Sequence, residues 1–248
     1  MKKPQFVNSH IYHIYNRGVE KRKTFLDEID HLRFIHDLFE FNDINPAISS
    51  NVRFTTNQPS KINTSCLNQL LEVQLPKVER KQKRFHRKLV IEILAFCLMP
   101  NHYHLLVRQL VDNGIVKFMQ KLGTGYTNYF NLKYERVGPL FQGRFKAVRV
   151  AKESHLLHLP NYIHFNPLEL IMPKLKDDGM KDYKKAIVFL ENYRWSSFPD
   201  YIGKKNFPSI TQRDFLSEML GAPKNYKINT EKWLAEMNVE EITHLTLE

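Results

Sequence analysis

The sequence predicts an α+β fold, an antiparallel sheet with helices packed on one side of it, of ferredoxin-like character. Three observations predict it. Short apolar segments of strand length alternate with longer segments whose apolar residues recur at helical spacing. Their order along the chain is strand, helix, strand, strand, helix, strand, helix. The two middle strands are separated only by the turn signal MPN, so they form a hairpin.

Each element has its own signal. In SHIYHIYNRG (9–18), Ile11, His13 and Tyr15 alternate with Tyr12, Ile14 and Asn16, and Gly18 ends the strand. From Thr24 to about Phe41, the residues Phe25, Ile29, Leu32, Ile35 and Phe39 mark one face of a helix, with Thr24 as its N-cap. LVIEILAFCL (89–98) is a continuous apolar run of strand length, as expected of a buried central strand. HYHLLVR (102–108) is its hairpin partner. A helix over about Gly114–Leu132 carries Val116, Met119, Leu122, Tyr126, Tyr129 and Phe130. Gly123 and Gly125 each weaken it by roughly 1 kcal/mol relative to Ala. GPLFQGRFKAVRV supplies a loop and a last strand near 145–150. A final helix covers about 154–166, opened by Ser154 and closed at Asn166-Pro167, because proline disfavours helical backbone in the residue before it.

Two stretches stand apart. Residues 42–88 are rich in Asn, Ser, Thr, Gln and Lys and end in the basic run VERKQKRFHRK. They are expected to be an insertion, with a short helix around Leu67, Leu70 and Leu71. The catalytic domain is therefore assigned to 1–173, and residues 174–248 to a mainly helical C-terminal extension with a possible DNA-binding role. The extension starts with the linker-like KDDGMKDYKK. It continues with YRWSSFPDYIG, whose Tyr193, Trp195, Phe198 and Tyr201 are expected to pack against the catalytic domain.

Composition bounds the function. Apolar residues make up 42% of the 248 residues, enough for a packed core. Lys and Arg number 37 against 26 acidic residues, a formal charge of +11 that favours polyanionic partners. The two cysteines, Cys66 and Cys97, match no zinc motif and make no disulfide framework, which fits a reducing, cytoplasmic setting. The N-terminus lacks the apolar stretch of a signal peptide, and no apolar run is long enough to span a bilayer.

The chemistry concentrates in two pairs. His102 and His104, at i and i+2 of a strand, point to one face, where two imidazoles can hold a divalent metal and leave positions open. Taken alone, such a pair is as often two ordinary histidines; the buried strand and tight turn before it give it a fixed place in the sheet. Tyr162 and Asn166, at i and i+4, share a helix face. The amide oxygen of Asn166 suits a hard cation, and a cation beside Tyr162 would help a phenol attack a phosphodiester. Spacing alone leaves Tyr126 and Tyr129 as rivals, although neither has an amide one turn on toward the C-terminus.

MPNHYHLLV resembles the His-hydrophobic-His (HUH) motif of single-tyrosine transposases. YTNYFN, GPLFQGRFKA and NYIHFNPLEL, with HIYNRG before them and WSS after, resemble the ordered landmarks of the REP-associated tyrosine transposases, an IS200-like branch. The resemblance covers about 9–41 and 89–200. It implies the HUH transposase fold, His102, His104 and Asn166 as ligands of Mg2+ or Mn2+, and Tyr162 as nucleophile. It further implies single-stranded or hairpin DNA as substrate, handled by a monomer or homodimer through a 5′-phosphotyrosine intermediate. Arg17, Arg144, Lys146 and Arg149 are candidate phosphate contacts; Phe141 and Phe145 suit base stacking but fit the core better. One departure is Pro160, two residues before the tyrosine. It either interrupts the helix, at roughly 3 kcal/mol, or stands in its first turn. Two other functions remain open: a zinc-dependent hydrolase with His13 as a third ligand, and a domesticated, non-cleaving DNA-binding protein.

Overall fold

The computed structural model describes residues 4–45, 87–173, 180 and 182–236. Strand β1 (Ile11–Arg17), helix α1 (Glu28–Glu40), strands β2 (Ile91–Met99) and β3 (His102–Gln109), helix α2 (Gly114–Lys133) and strand β4 (Lys146–Val150) follow in the predicted order. They build one sheet in the order β2-β3-β1-β4, with every neighbouring pair antiparallel. This is the ferredoxin-like arrangement that the alternation predicts.

The β2–β3 pairing shifts register between Ile93 and Ala95. The bulge has a clear consequence for side-chain parity. Ile91 and Ile93 join the core under α1 and α2, but beyond the bulge Phe96 and Leu98 take over that face. Cys97 and Met99 then fall on the opposite face, in register with His104 and His102. One extra residue therefore keeps both faces of a continuously apolar strand matched to its alternating partner.

Local signals are met with two adjustments. Helix α1 begins at Glu28, not near Thr24: Asp27 is the N-cap and forms a reciprocal capping box with Asp30. The Thr24 carbonyl instead accepts a hydrogen bond from Tyr126 Oη at 2.7 Å. Helix α3 (Glu153–Phe165) has Lys152 rather than Ser154 at its N-cap position, and Pro160 lies inside it. It passes directly into a 3₁₀ turn over Asn166–Leu170 that has Pro167 at its start. Gly125 fits because a Cβ there would lie 2.7 Å from the Phe41 ring, so its helix-weakening cost purchases close packing. Of the expected insertion, Asn42 belongs to the fold: its buried side chain accepts from the Val90 and Ile91 amides. Ile44 N donates to Lys88 O at 2.9 Å, so residues 44 and 88 meet. The helix expected near Leu67 and most of the basic run lie outside the described residues, as do residues 176–179 and 181 of the charged stretch.

The expectation of helices on one side holds for α1 and α2 and fails for the rest. The second face is also apolar, with Ile11, Leu94, Ala95, Cys97, Met99 and Leu106, and exposing it would be unfavourable. Helix α3 covers it together with α4 (Tyr183–Asn192), α5 (Phe198–Tyr201), α6 (Asp214–Leu220) and α7 (Pro223–Glu236). The aromatic segment packs as expected. Leu98 N donates to Trp195 O and Ser197 N to Phe96 O, covering the edge of β2. Trp195 then stacks on His31 of α1 at 4.3 Å, while Phe198 and Tyr201 enter the second core. Among the described residues no helix is long and apolar enough to cross a membrane.

Candidate active site

Strand periodicity places His102 and His104 on the second face of the sheet, and register places β1 beside them. Arg17 is opposite His102, and Tyr15 is opposite His104. His13, two residues earlier on β1, shares that face. Helix α3 crosses above and contributes Tyr162. Its ring meets His104 edge-on at 5.5 Å and His13 at 5.7 Å between centroids. Asn166, one turn on, donates Nδ2 to Tyr162 O at 2.9 Å, and its side chain lies beside His104. His102, His104, Tyr162 and Asn166, read from two separate segments, are thus brought together.

The two histidines are held in a manner that suits a metal. His102 Nδ1 lies 2.7 Å from Asn101 Oδ1, an acceptor, so Nδ1 carries the proton. His104 Nδ1 lies 2.9 Å from His13 Nε2. With the Nδ1 atom of each ring engaged by a protein group, Nε2 is the nitrogen each can offer to a cation. Burial pushes the His13 pKa down to about 4 and that of His104 well below the usual histidine range, and neutral imidazole is the metal-binding form. Two imidazoles and an amide oxygen form a donor set that fits Mg2+ or Mn2+ with positions left for substrate. His13 does not complete a third-ligand set: it hydrogen-bonds His104, and among the described residues no group of three or more His, Cys, Asp or Glu is arranged to hold a metal.

Other sequence candidates separate by face. Tyr126 and Tyr129 lie on α2, on the far side of the sheet. Tyr126 is fully buried in the first core, and Tyr129 Oη donates to Asp30 Oδ1 at 2.9 Å. Arg17 and Lys146 border the histidines: Arg17 Nε donates to Gln142 Oε1, and the Lys146 ammonium sits over the Tyr15 ring at 5.4 Å. Arg149, in register with Tyr12, lies on the opposite face from Lys146, because strand side chains alternate. Arg144 lines a groove of about 670 Å3 between α2 and the loop before β4, together with Asn16, Gln120 and Asn128. Phe141 is buried in the first core, and Phe145 packs against it.

Three participants carry little sequence signal. Tyr15 stacks on His13 at 5.2 Å and on His104 at 5.9 Å, a contact set by strand register. His13 has its partner for the same reason. His164, fully buried on α3, is neutral because burial pushes its pKa down to about 3, and its partners come from the C-terminal extension.

Residues 64–166 match the family model described as "Transposase IS200 like". No curated protein matches the sequence. Among solved structures, that of a REP-associated tyrosine transposase bound to a REP hairpin matches at 12% identity and a TM-score of 0.48, covering 86% of this chain and 92% of its own. The IS200-like resemblance carried by the sequence is upheld over a segment that includes both histidines and ends on Asn166; the segment begins at residue 64, within the stretch expected to be an insertion outside the resemblance.

Proposed function

We propose that this chain, which carries an IS200-like transposase segment, is an enzyme that cleaves and rejoins single-stranded DNA near a hairpin, with Tyr162 as nucleophile. The observation that carries the reading is the meeting of Tyr162 and Asn166 with His102 and His104 on one sheet face. A phosphodiester bound there is attacked by the Tyr162 oxygen. The phenol gives up its proton, a phosphorus–oxygen bond forms to the tyrosine, and the 3′-oxygen leaves as a hydroxyl. A later 3′-hydroxyl reverses the step, and the phosphotyrosine link conserves the bond without external energy. A divalent ion held by His102, His104 and Asn166 would supply polarisation of the scissile phosphate.

The residues around it have distinct tasks. His13 and Asn101 orient the two imidazoles. Asn166 ties its own side chain to the backbone of Tyr162, which keeps ligand and nucleophile in one frame. Arg17 and Lys146 border the site and suit the flanking phosphates, while the formal charge of +11 favours the approach of DNA. Tyr162 lies against histidines of its own chain, which supports cleavage within a single protomer. Residues 1–173 would then hold the chemistry, and 174–248 would support it.

The test is cleavage of hairpin-bearing single-stranded DNA with Mg2+ or Mn2+, scored for a covalent protein–DNA product. Wild type should form the adduct. Tyr162→Phe should form none yet bind DNA nearly as tightly, since only a hydroxyl is lost. An adduct in the variant would move the nucleophile to another tyrosine. Cleavage with no adduct in wild type would favour a hydrolase, and binding with no cleavage a DNA-binding protein that has lost its chemistry.

A further inference from the structure

The helix that carries Tyr162 is attached to the rest of the protein by buried polar contacts that the chemistry above does not use. Asn161 and His164 flank Tyr162 and Ile163 on α3. Both meet one hydroxyl, that of Tyr226 in α7: its oxygen is 2.8 Å from Asn161 Oδ1 and 3.0 Å from His164 Nδ1. The other His164 nitrogen, Nε2, is 2.8 Å from Ser197 Oγ. Ser197 Oγ in turn accepts from Phe96 N at 2.9 Å. His164 and Ser197 are fully buried, and Tyr226 is 2% exposed.

The two ends fix the direction of the chain. Asn161 Oδ1 is a carbonyl oxygen and can only accept, so the Tyr226 hydroxyl donates to it. The lone pair of Tyr226 then accepts from His164 Nδ1–H. A neutral imidazole has one donor and one acceptor nitrogen, so Nε2 accepts from the Ser197 hydroxyl. The Ser197 oxygen keeps a lone pair for Phe96 N–H. The Ser197 hydroxyl also approaches Phe96 O at 3.3 Å, but its one proton serves the shorter contact to Nε2, so the chain runs in one direction from strand to helix and ties the two together.

That strand matters. Phe96 belongs to β2, where the next residue, Cys97, is in register with His104. We propose that Tyr226 is a positioning residue for the nucleophile: its hydroxyl closes a hydrogen-bonded chain that holds the Tyr162 helix in fixed relation to the strand pair bearing His102 and His104. The proposal rests on Tyr162 acting as nucleophile. It also gives the C-terminal extension a task at the reactive centre, reached through α3 and without contact with DNA. Pro160 makes such a tie useful, since it deletes a backbone hydrogen bond within the turn that leads into Tyr162.

The experiment compares two variants of the full chain. Tyr226→Phe removes only the hydroxyl. Thr230→Val removes a second buried hydrogen bond of α7, from Thr230 Oγ1 to Tyr226 O at 2.8 Å, which does not reach α3. Single-turnover cleavage at saturating hairpin DNA and DNA affinity are measured separately, with amide hydrogen exchange over 157–166 as an independent readout. Tyr226→Phe should slow cleavage by about 10- to 100-fold at unchanged affinity and speed exchange around Tyr162. Thr230→Val should cleave at the wild-type rate. Asn161→Ala breaks the far end of the chain and should repeat the result should Tyr226→Phe fold poorly. Wild-type cleavage by Tyr226→Phe, or by a folded Asn161→Ala, overturns the proposal, as does equal slowing by Thr230→Val. If wild type forms no adduct, the nucleophile assignment fails first. Exchange alone then decides whether Tyr226 holds this helix, and unchanged exchange rejects it.

Discussion

On one face of the sheet, Tyr103, Leu105 and Val107 of β3 pack with α1 and α2 in a core of apolar and aromatic side chains. On the other face, His102 and His104 of the same strand meet α3, and the buried residues include His13, His164, Ser196 and Ser197. The first face gains stability from area removed from water, a non-directional effect that tolerates repacking, and its buried polar groups, such as Arg33 and Asp37, pair within or beside α1, away from the histidines. The second has an apolar core of its own, but around the histidines and α3 it also carries polar groups that must each find a partner, because an unsatisfied one is costly when buried. Alternation along one strand thus divides stability from chemistry. The comparison teaches that a residue's face, more than its distance along the chain, sets what its loss should do.

The largest effect should follow from removing the metal ligands. His102→Ala and His104→Ala should each abolish metal-dependent cleavage, and chelation should do the same to wild type while leaving the first core folded. Mn2+ binding followed by titration calorimetry, alongside the cleavage assay, checks this; full activity in excess chelator would sink the HUH reading.

Packing losses come next and should differ by face. Phe118→Ala in the first core should cost about 3–5 kcal/mol of stability, yet the folded fraction should cleave normally. Leu234→Ala in the second core should cost about 2–5 kcal/mol and also slow cleavage, because α7 supports the helix of Tyr162. Denaturant titration with activity per folded molecule separates the two. Equal behaviour would erase the distinction between the faces.

Acid should weaken the first face through His31, which stacks between Phe25 and Trp195. Burial pushes its pKa down to about 4, although the Asp27 carbonyl and the charges of Asp27 and Asp30 raise it; Arg194 lowers it further. The unfolded chain takes up this proton near the ordinary value of 6.5 while the folded protein stays neutral. The unfolded state then binds more protons, so stability falls as pH drops from about 6.5 to about 4, by up to about 1.4 kcal/mol per pH unit. His31→Gln should lower that slope by up to about 1.4 kcal/mol per pH unit in melts taken across the window, leaving the share of His13, His104 and His164, whose pKa values burial also lowers; an unchanged slope would assign the acid loss to those groups alone.

The smallest effects concern single surface cations. Affinity for hairpin DNA should fall as salt rises, and Arg17→Ala or Lys146→Ala should each reduce the logarithmic slope by about one. Lys146→Ala, beside the histidines, should weaken binding more than Arg149→Ala, which lies on the other face. Filter binding across a salt series would show the order, and a reversal would move the DNA path to the first face.

Much of this protein is written in local pattern. Period two along HYH set two imidazoles side by side, and period 3.6 along NYIHFN set an amide one turn after a tyrosine. The order of strands and helices was legible because each segment's apolar spacing depends on its own backbone geometry. Cap chemistry was less so: Thr24 and Ser154 have the right side chains, but Asp27 and Lys152 occupy the cap positions. What local pattern could not carry is which helix covers which face. Tyr126 and Tyr162 are both aromatic residues on helices, and only packing puts the first under the sheet and the second over the histidines. The partners of His13 and of His164 came from register and from α7, which are relations between segments with no trace in either one alone. The sequence by itself therefore determined the elements and the groups capable of chemistry, since both follow from residue type and spacing. The tertiary structure decided which of those groups meet, because burial of two apolar sheet faces, rather than any local preference, brings α3 and the C-terminal helices onto the second face.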